Sequence, residues 1–204
     1  MVGAAVCALA LFSMPNAAQA LIELKGGYSI HQTSPGGLND AFPANPKIDQ
    51  MQSFSVDVMG NVPLMPVGLG LRHEILKRTE TSGAFESAID WSRTSILVNK
   101  RFIDTLIYLG PIATVGVASD FKYKSTAAGV TTDYKTDSQL TATVGVEAGL
   151  KFLLLRVGAE IGYLYAPMGE LKSSAGVPMT NADGSKVTFD LSGTYVRVLA
   201  GFGF

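Results

Sequence analysis

Sulfur chemistry is almost absent from this chain, whose one cysteine, Cys7, lies close to the N-terminus. Without further thiols the rest of the chain can build no disulfide framework, no thiolate metal site and no cysteine nucleophile. That also suits a protein that crosses an oxidising compartment unfolded. Charge excess is missing too: 16 Lys and Arg against 17 Asp and Glu leave a net charge of -1. There is neither a basic stripe for nucleic acid nor an acidic tail. The two histidines, His31 and His73, stand too far apart to read as a zinc motif. No P-loop or dinucleotide fingerprint is present, so no cofactor is implied. Long apolar runs are lacking as well. After residue 21 none reaches the ~18 to 20 residues of a membrane helix, and the best stretch, Thr105 to Ala118, contains Pro111. These absences exclude a helical membrane protein.

Apolar content is nevertheless high, at 47 % with a mean hydropathy of +0.26 in spite of 22 glycines. Those side chains must be buried somewhere. The first charged residue is Glu23, and before it Val2 to Met14 is apolar, Pro15-Asn16 breaks the run, and Ala18-Gln19-Ala20 follows. This small-x-small pattern predicts a secretory signal over residues 1–20, cleaved after Ala20 with Ala18 and Ala20 at the cleavage site. The Lys or Arg that opens such signals is missing, which suggests a lost leading region or a true start upstream of Met1. Cys7 is too early, and in the wrong context, for lipoprotein acylation. Residues 21–204 show no linker and are read as one domain.

Within that domain most segments between turn signals alternate with period two, the mark of a strand with two different faces. Ile22, Leu24, Tyr28 and Ile30 oppose Glu23, Lys25, Ser29 and His31; Phe54, Val56 and Val58 oppose Ser53, Ser55 and Asp57; Val67, Leu69 and Leu71 oppose Arg72 and Glu74. Asp90 to Lys100 is less clean, because Trp91, Arg93, Ser95 and Leu97 mix opposite Ile96 and Val98. Ile107 to Val117, Leu140 to Phe152 and Leu155 to Tyr165 resume the pattern, with a distortion expected at Pro111. The last segment, Val187 to Phe204, changes phase near Ser192-Gly193, where a β-bulge is predicted.

Eight strands follow, joined alternately by long polar segments (32–48, 77–89, 119–138 and 166–185) and by short turns near 61–66, 101–105 and 152–154. Long loops at one end, and tight turns with both termini at the other, are the layout of an antiparallel up-and-down transmembrane β-barrel. A soluble lipocalin-type barrel would keep its charges outside and a greasy interior. Here the charged face also carries Gly27, Gly68, Gly70, Gly145, Gly149, Gly158 and Gly162. Eight strands enclose little more than side-chain volume, so the small-residue face is assigned to the inside. Its acids Glu23, Asp57, Glu74, Glu147 and Glu160 nearly cancel its bases Lys25, Arg72, Lys151, Arg156 and Arg197, which predicts a polar plug. Aromatics fall at two heights, as interfacial girdles do: Phe102, Phe152, Phe202 and Phe204 by the tight turns, and Tyr28, Phe54, Tyr163, Tyr165 and Phe189 toward the long loops.

The closing stretch YVRVLAGFGF places Val196, Val198, Ala200, Phe202 and Phe204 at alternate positions. With the signal, strand number and loop asymmetry, it resembles the small eight-stranded outer-membrane barrels of Gram-negative bacteria, of the OmpA, OmpX and OmpW type. That resemblance implies an outer-membrane location with both termini periplasmic, surroundings of outer-membrane lipid and lipopolysaccharide, and biogenesis through periplasmic chaperones and the barrel-assembly machinery. In such proteins the terminal aromatic pattern acts as an assembly signal, here Val196, Val198, Ala200, Phe202 and Phe204.

Catalytic chemistry is thin. The same architecture hosts lipid A acyltransferases and deacylases, the latter with His and Ser two apart on a lipid-facing strand. His31-Gln32-Thr33 has a hydroxyl at that spacing but at the loop end of the first strand, and His73-Glu74-Ile75 has none. A nucleophile needs a base within hydrogen-bond reach, and the chain is read as non-enzymatic. Asn181 to Gly184 resembles a calcium-loop fragment without its later glutamate and is read as a turn. The expected role is structural or surface-interacting. A narrow, porin-like channel or lateral path for small solutes is the alternative, ahead of a lipid A-modifying enzyme.

Overall fold

The computed structural model describes residues 22–61, 67–181 and 183–204, so the signal and its cleavage site at Ala18 and Ala20 lie outside the described residues. In chain order the elements are β1 (Ile22–Gln32), α1 (Gly36–Ala41), β2 (Gln50–Asn61), β3 (Val67–Ser82), β4 (Phe85–Lys100), β5 (Ile103–Asp104) and β6 (Ile107–Ala127). They continue with β7 (Val130–Lys135), β8 (Gln139–Phe152), β9 (Leu155–Tyr165), β10 (Pro167–Glu170), β11 (Lys172–Ser173), β12 (Thr188–Asp190) and β13 (Gly193–Gly203). Among the described residues no helix is long and apolar enough to cross a membrane.

The long strands β1, β2, β3, β4, β6, β8, β9 and β13 pair antiparallel in succession, and β13 returns to β1 from Glu23↔Gly203 to His31↔Tyr195, closing an 8-strand barrel. Closure comes with a stagger. From Leu24 the register runs through Val58, Leu71, Ile96, Val115 and Ala142 to Tyr165 on β9, whereas the other way round it reaches Leu155 through Phe202, 10 residues down the same strand. All of the first row points outward, and the period-two pattern carries every strand's alternate residues inward.

Three features differ from the sequence reading. The polar segments 77–89 and 119–138 are strand for most of their length. β3 and β4 stay paired up to Ser82↔Phe85, and β6 runs on to Ala127 before folding back as β7. Ile89, Phe121 and Tyr123 give these extensions a buried face, which keeps the ladder going where polarity alone suggests loop. The final segment is not one bulged strand: it breaks at Leu191–Ser192, and β12 leaves the barrel to pair with β10 in a separate two-stranded sheet. Within the barrel the register shifts elsewhere, at a bulge in β6. Asp90 pairs with Lys122 and Ser92 with Ser119, which sets Asp120 and Phe121 against Trp91 alone, one residue in surplus, with Asp120 at φ 56. At Pro111 the register with β8 is continuous, while pairing with β4 stops at Ile112, so the missing N–H falls where the β4 ladder has ended.

At the loop end the barrel is capped. Leu38 of α1, Ile48, Met168, Leu171, Val187, Phe189 and Leu191 come in from the loops and pack on wall residues Met51, Leu76, Trp91, Phe121, Leu164 and Tyr195. Phe189 is therefore no girdle residue: it is 5 % exposed and its ring lies 5.0 Å from that of Phe121. The other eight girdle candidates are partly or fully exposed on the outer wall.

Gly193 opens β13 at the tightest point of this closure, where a Cβ would stand 1.7 Å from the carbonyl oxygen of Gln32. Gly26, on the outer wall, has nothing nearer than 3.9 Å. Gly193→Ala is expected to destabilise the barrel by about 2 kcal/mol and Gly26→Ala by under about 0.5 kcal/mol. Urea unfolding in lipid vesicles, followed by the fluorescence of Trp91, checks both.

Candidate functional site

All ten charged residues assigned to the inside from the sequence are buried. The structure sorts them into two tiers and adds members. At the tight-turn end Arg101 donates to both carboxylate oxygens of Glu23, at 2.7 and 2.6 Å, and Lys25 donates to Glu147 at 2.5 Å. Lys151 pairs with Asp104, and Arg156 stands 3.7 Å from Glu23. Arg101 and Asp104 read as turn residues in the sequence because they follow the last alternating position of β4. β5 folds back onto β6 and carries Asp104 to this tier. The Arg101 guanidinium also lies over the Tyr108 ring at 4.7 Å.

The second tier is midway up the barrel. Arg72 donates to both oxygens of Asp57 at 2.8 Å and to both of Glu160 at 3.0 and 2.8 Å. Arg197 bridges Glu160, at 3.2 and 3.3 Å, to Glu74 at 2.5 Å, and Arg93 donates to the other oxygen of Glu74 at 2.7 Å. Tyr195 donates to Glu160 at 2.5 Å. Such planar, multidentate pairing is what arginine supplies and lysine does not, and among the described residues no lysine bonds to the carboxylates of this tier. Arg93 was visible in the sequence only as part of the mixed face of β4. Two small residues make space: a Cβ on Gly27 would meet the Arg197 side chain at 3.0 Å, and one on Gly158 would meet the Tyr108 hydroxyl at 2.3 Å. The inner glycines thus accommodate tyrosines as well as charges.

His31 belongs to this tier and shows what the interior does chemically. Its Nε2 meets Ser29 Oγ at 2.9 Å, Ser53 Oγ at 3.2 Å and Glu74 Oε1 at 3.3 Å. Hydroxyl and carboxylate crowd one ring nitrogen, whereas a nucleophilic triad needs them on opposite nitrogens. The group also lies fully buried beneath the apolar cap. The hydroxyl partners of His31 are Ser29 and Ser53 rather than Thr33, whose own hydroxyl is buried without a hydrogen-bond partner among the described residues. His73 has no hydroxyl two residues away but meets one across the β3–β4 ladder, Thr94, with Nδ1 and Oγ1 3.0 Å apart on the outer wall. Glu74 beside it points inward, and among the described residues no carboxylate bonds to this pair. Asn181 to Gly184 closes a turn in which Gly184 N–H donates to the Asn181 carbonyl at 3.0 Å. Ser185 donates twice to Asp183, through Oγ and N–H, and holds its carboxyl below the usual range.

Val196, Val198, Ala200 and Phe202 on β13, and Phe204 just after it, are exposed on the outer side, while Tyr195, Arg197 and Leu199 are buried. Phe204 exchanges backbone hydrogen bonds with Ile22 at 2.8 and 3.2 Å, and so ends the seam.

Removing one acid from the second tier leaves buried guanidinium groups without their partner. Glu74→Ala is expected to destabilise by about 3 to 5 kcal/mol. Asp137→Ala, which breaks an exposed pair with Lys172, is expected to cost under about 1 kcal/mol. Equal losses in the same unfolding assay would contradict the buried-network account.

No family model matches the sequence, and no curated protein does. Among solved structures the chain is similar to Ail, the attachment invasion locus protein of Yersinia pestis, in complex with the heparin analogue sucrose octasulfate. The TM-score is 0.52 at 12% identity, covering 91% of this chain and 99% of that one. It is also similar to a major outer membrane protein from Thermus thermophilus, with a TM-score of 0.56 at 12% identity over 90% of this chain and 99% of that one. At such identities it is the fold that is shared, and that fold is the closed eight-stranded β-barrel of outer-membrane proteins.

Proposed function

We propose that the protein is an integral outer-membrane barrel of structural or surface-interacting role, with a closed interior and no catalytic site. The observation that carries this is the outer wall. Leu24, Val58, Leu71, Ile96, Val115 and their neighbours form an exposed apolar band, and the charges on these strands at its height are turned inward, an arrangement that suits lipid and not water. In this reading the tight turns and both termini face the periplasm, and the extended hairpins and the β10–β12 sheet stand outside the cell. Lipopolysaccharide surrounds that end. The structure of Ail in complex with a heparin analogue supports the idea that such a barrel meets ligands.

The interior argues for closure rather than conduction. Two tiers of mutually paired charge fill the lumen, and the apolar cap covers them. The non-enzymatic reading rests on the one-nitrogen geometry at His31 and on His73 having no carboxylate partner among the described residues. In planar bilayers the wild-type barrel is expected to give no discrete ion-conducting steps. Stable openings that change size in Glu147→Ala or Arg156→Ala would overturn the closed reading in favour of a narrow channel.

The outward set Val196, Val198, Ala200, Phe202 and Phe204 serves, in this proposal, as the signal read by the barrel-assembly machinery after delivery by periplasmic chaperones. Phe204 also ends the seam with Ile22. Its deletion is expected to lower the amount of inserted barrel severalfold, by quantitative blotting of outer-membrane fractions, with undiminished levels contradicting the assignment.

A further inference from the structure

Just above the apolar band, on the outer face, the sheet carries a run of like charge that its own acids do not neutralise. The register aligns Lys77 with Asp90, Asp90 with Lys122, Lys122 with Lys135 and Lys135 with Lys172, in one row across β3, β4, β6, β7 and β11. Directly opposed side chains of an antiparallel pair share a face at close range, and like charges there repel. The two ends of the row are compensated: Lys77 pairs with Asp90 at 3.0 Å, and Lys172 with Asp137 at 2.5 Å. Lys122 and Lys135, in the middle, face each other, and neither forms an ion pair among the described residues.

The same two lysines line a pocket of about 540 Å³, with Lys124, Thr136 and Ser174. Asp120 and Asp133 line it too, so three lysines face two aspartates and the pocket keeps a positive excess. Asp120 accepts from Ser119 at 3.1 Å and Ser92 at 3.4 Å, and Asp133 is the register partner of Lys124. The bulge at Asp120 re-aims β6 at this height. Without the surplus residue the parity of the strand would turn Lys122 inward and Phe121 outward. A local distortion thus presents the lysine to the outside.

Position selects the occupant. Along the outer face of β6 the residues run Val115, Val117, Ser119, then Lys122 and Lys124, so the row begins where the apolar wall ends, at headgroup height. Its lysines are exposed on the same outer face as Val115 and Val117 rather than at the loop tips. We propose that Lys122 and Lys135 bind phosphate groups of the lipid that surrounds the loop end, each phosphate supplying the negative charge that the row lacks. This rests on the membrane reading above and gives its lipid contact a location.

The test uses the full refolded barrel in a non-ionic detergent, with native mass spectrometry against bisphosphorylated lipid A, the same lipid without phosphates, and soluble sucrose octasulfate. Wild-type protein should hold bisphosphorylated lipid A about tenfold better than the Lys122→Ser/Lys135→Ser double variant does, and about tenfold better than it holds the phosphate-free lipid. Lys47→Ser, on the exposed part of the first long loop, should match wild type. Raising the salt concentration should weaken wild-type binding of the phosphorylated lipid but not of the phosphate-free one, a readout that needs no variant. Equal retention by wild type and the double variant, equal retention of the two lipids, or no salt effect overturns the proposal. Preferential capture of the sulfated sugar through the two lysines overturns it in favour of a soluble polyanion. Heat-modifiable migration of the vesicle-inserted chain reports separately on the membrane reading. A chain without it defeats that reading, whereas a heat-modifiable chain whose lipid binding ignores the lysines defeats only this proposal.

Discussion

The seam between β1 and β13 is the constraint from which the rest of the structure follows. A sheet in hydrocarbon cannot leave an edge, because each unpaired N–H and C=O there would cost several kcal/mol. Pairing the first described strand with the last removes both edges at once. With 8 strands the enclosed space is only as wide as the side chains that fill it. Small residues must then make room for the side chains of inward charges, and those charges must be paired. Gly27 beside Arg197 and Gly158 beside Tyr108 show the first solution, and the arginine-carboxylate lattice shows the second.

Burying that lattice is not an obvious route to stability. Desolvating several charges is expensive, and the gain appears only where each carboxylate meets more than one donor in good geometry. Glu74 and Glu160 meet that condition: the first takes bonds from Arg93, Arg197 and Ser53, the second from Arg72, Arg197 and Tyr195. These bonds reach across the lumen between strands far apart in sequence. A slip of one residue in any strand would turn a charge into lipid and leave another unpaired. The network therefore favours one register over its neighbours, whatever its net contribution to stability. Above it the apolar cap keeps water from competing for the same donors.

Much of this architecture was legible in the sequence because a barrel strand advertises both of its faces. Val196, Val198 and Phe202 against Tyr195, Arg197 and Leu199 need no partner strand to be sorted. The loop end was harder to read. Leu38, Ile48, Leu171, Val187 and Leu191 stand singly among polar residues without a period, and only their convergence over the lumen makes them a core. Phe189 misled for the same reason, since its spacing matched a girdle while its strand had already left the wall. Arg101 and Asp104 were hidden in a turn, and the Lys122–Lys135 row could not be seen without the register that brings distant strands together.

The central claim is that the period-two outer face meets lipid while its complement fills a closed interior. Single-cysteine spin labels walked from residue 195 to 202, in a chain with Cys7 replaced by serine and inserted into vesicles, test it most directly. Accessibility to lipid-dissolved oxygen should alternate, high at 196, 198, 200 and 202 and low at 195, 197 and 199, with a water-soluble relaxer excluded from the outward positions. Uniform accessibility along the strand, or a water-soluble relaxer reaching position 198 as readily as the exposed hairpin at Thr131, would contradict it.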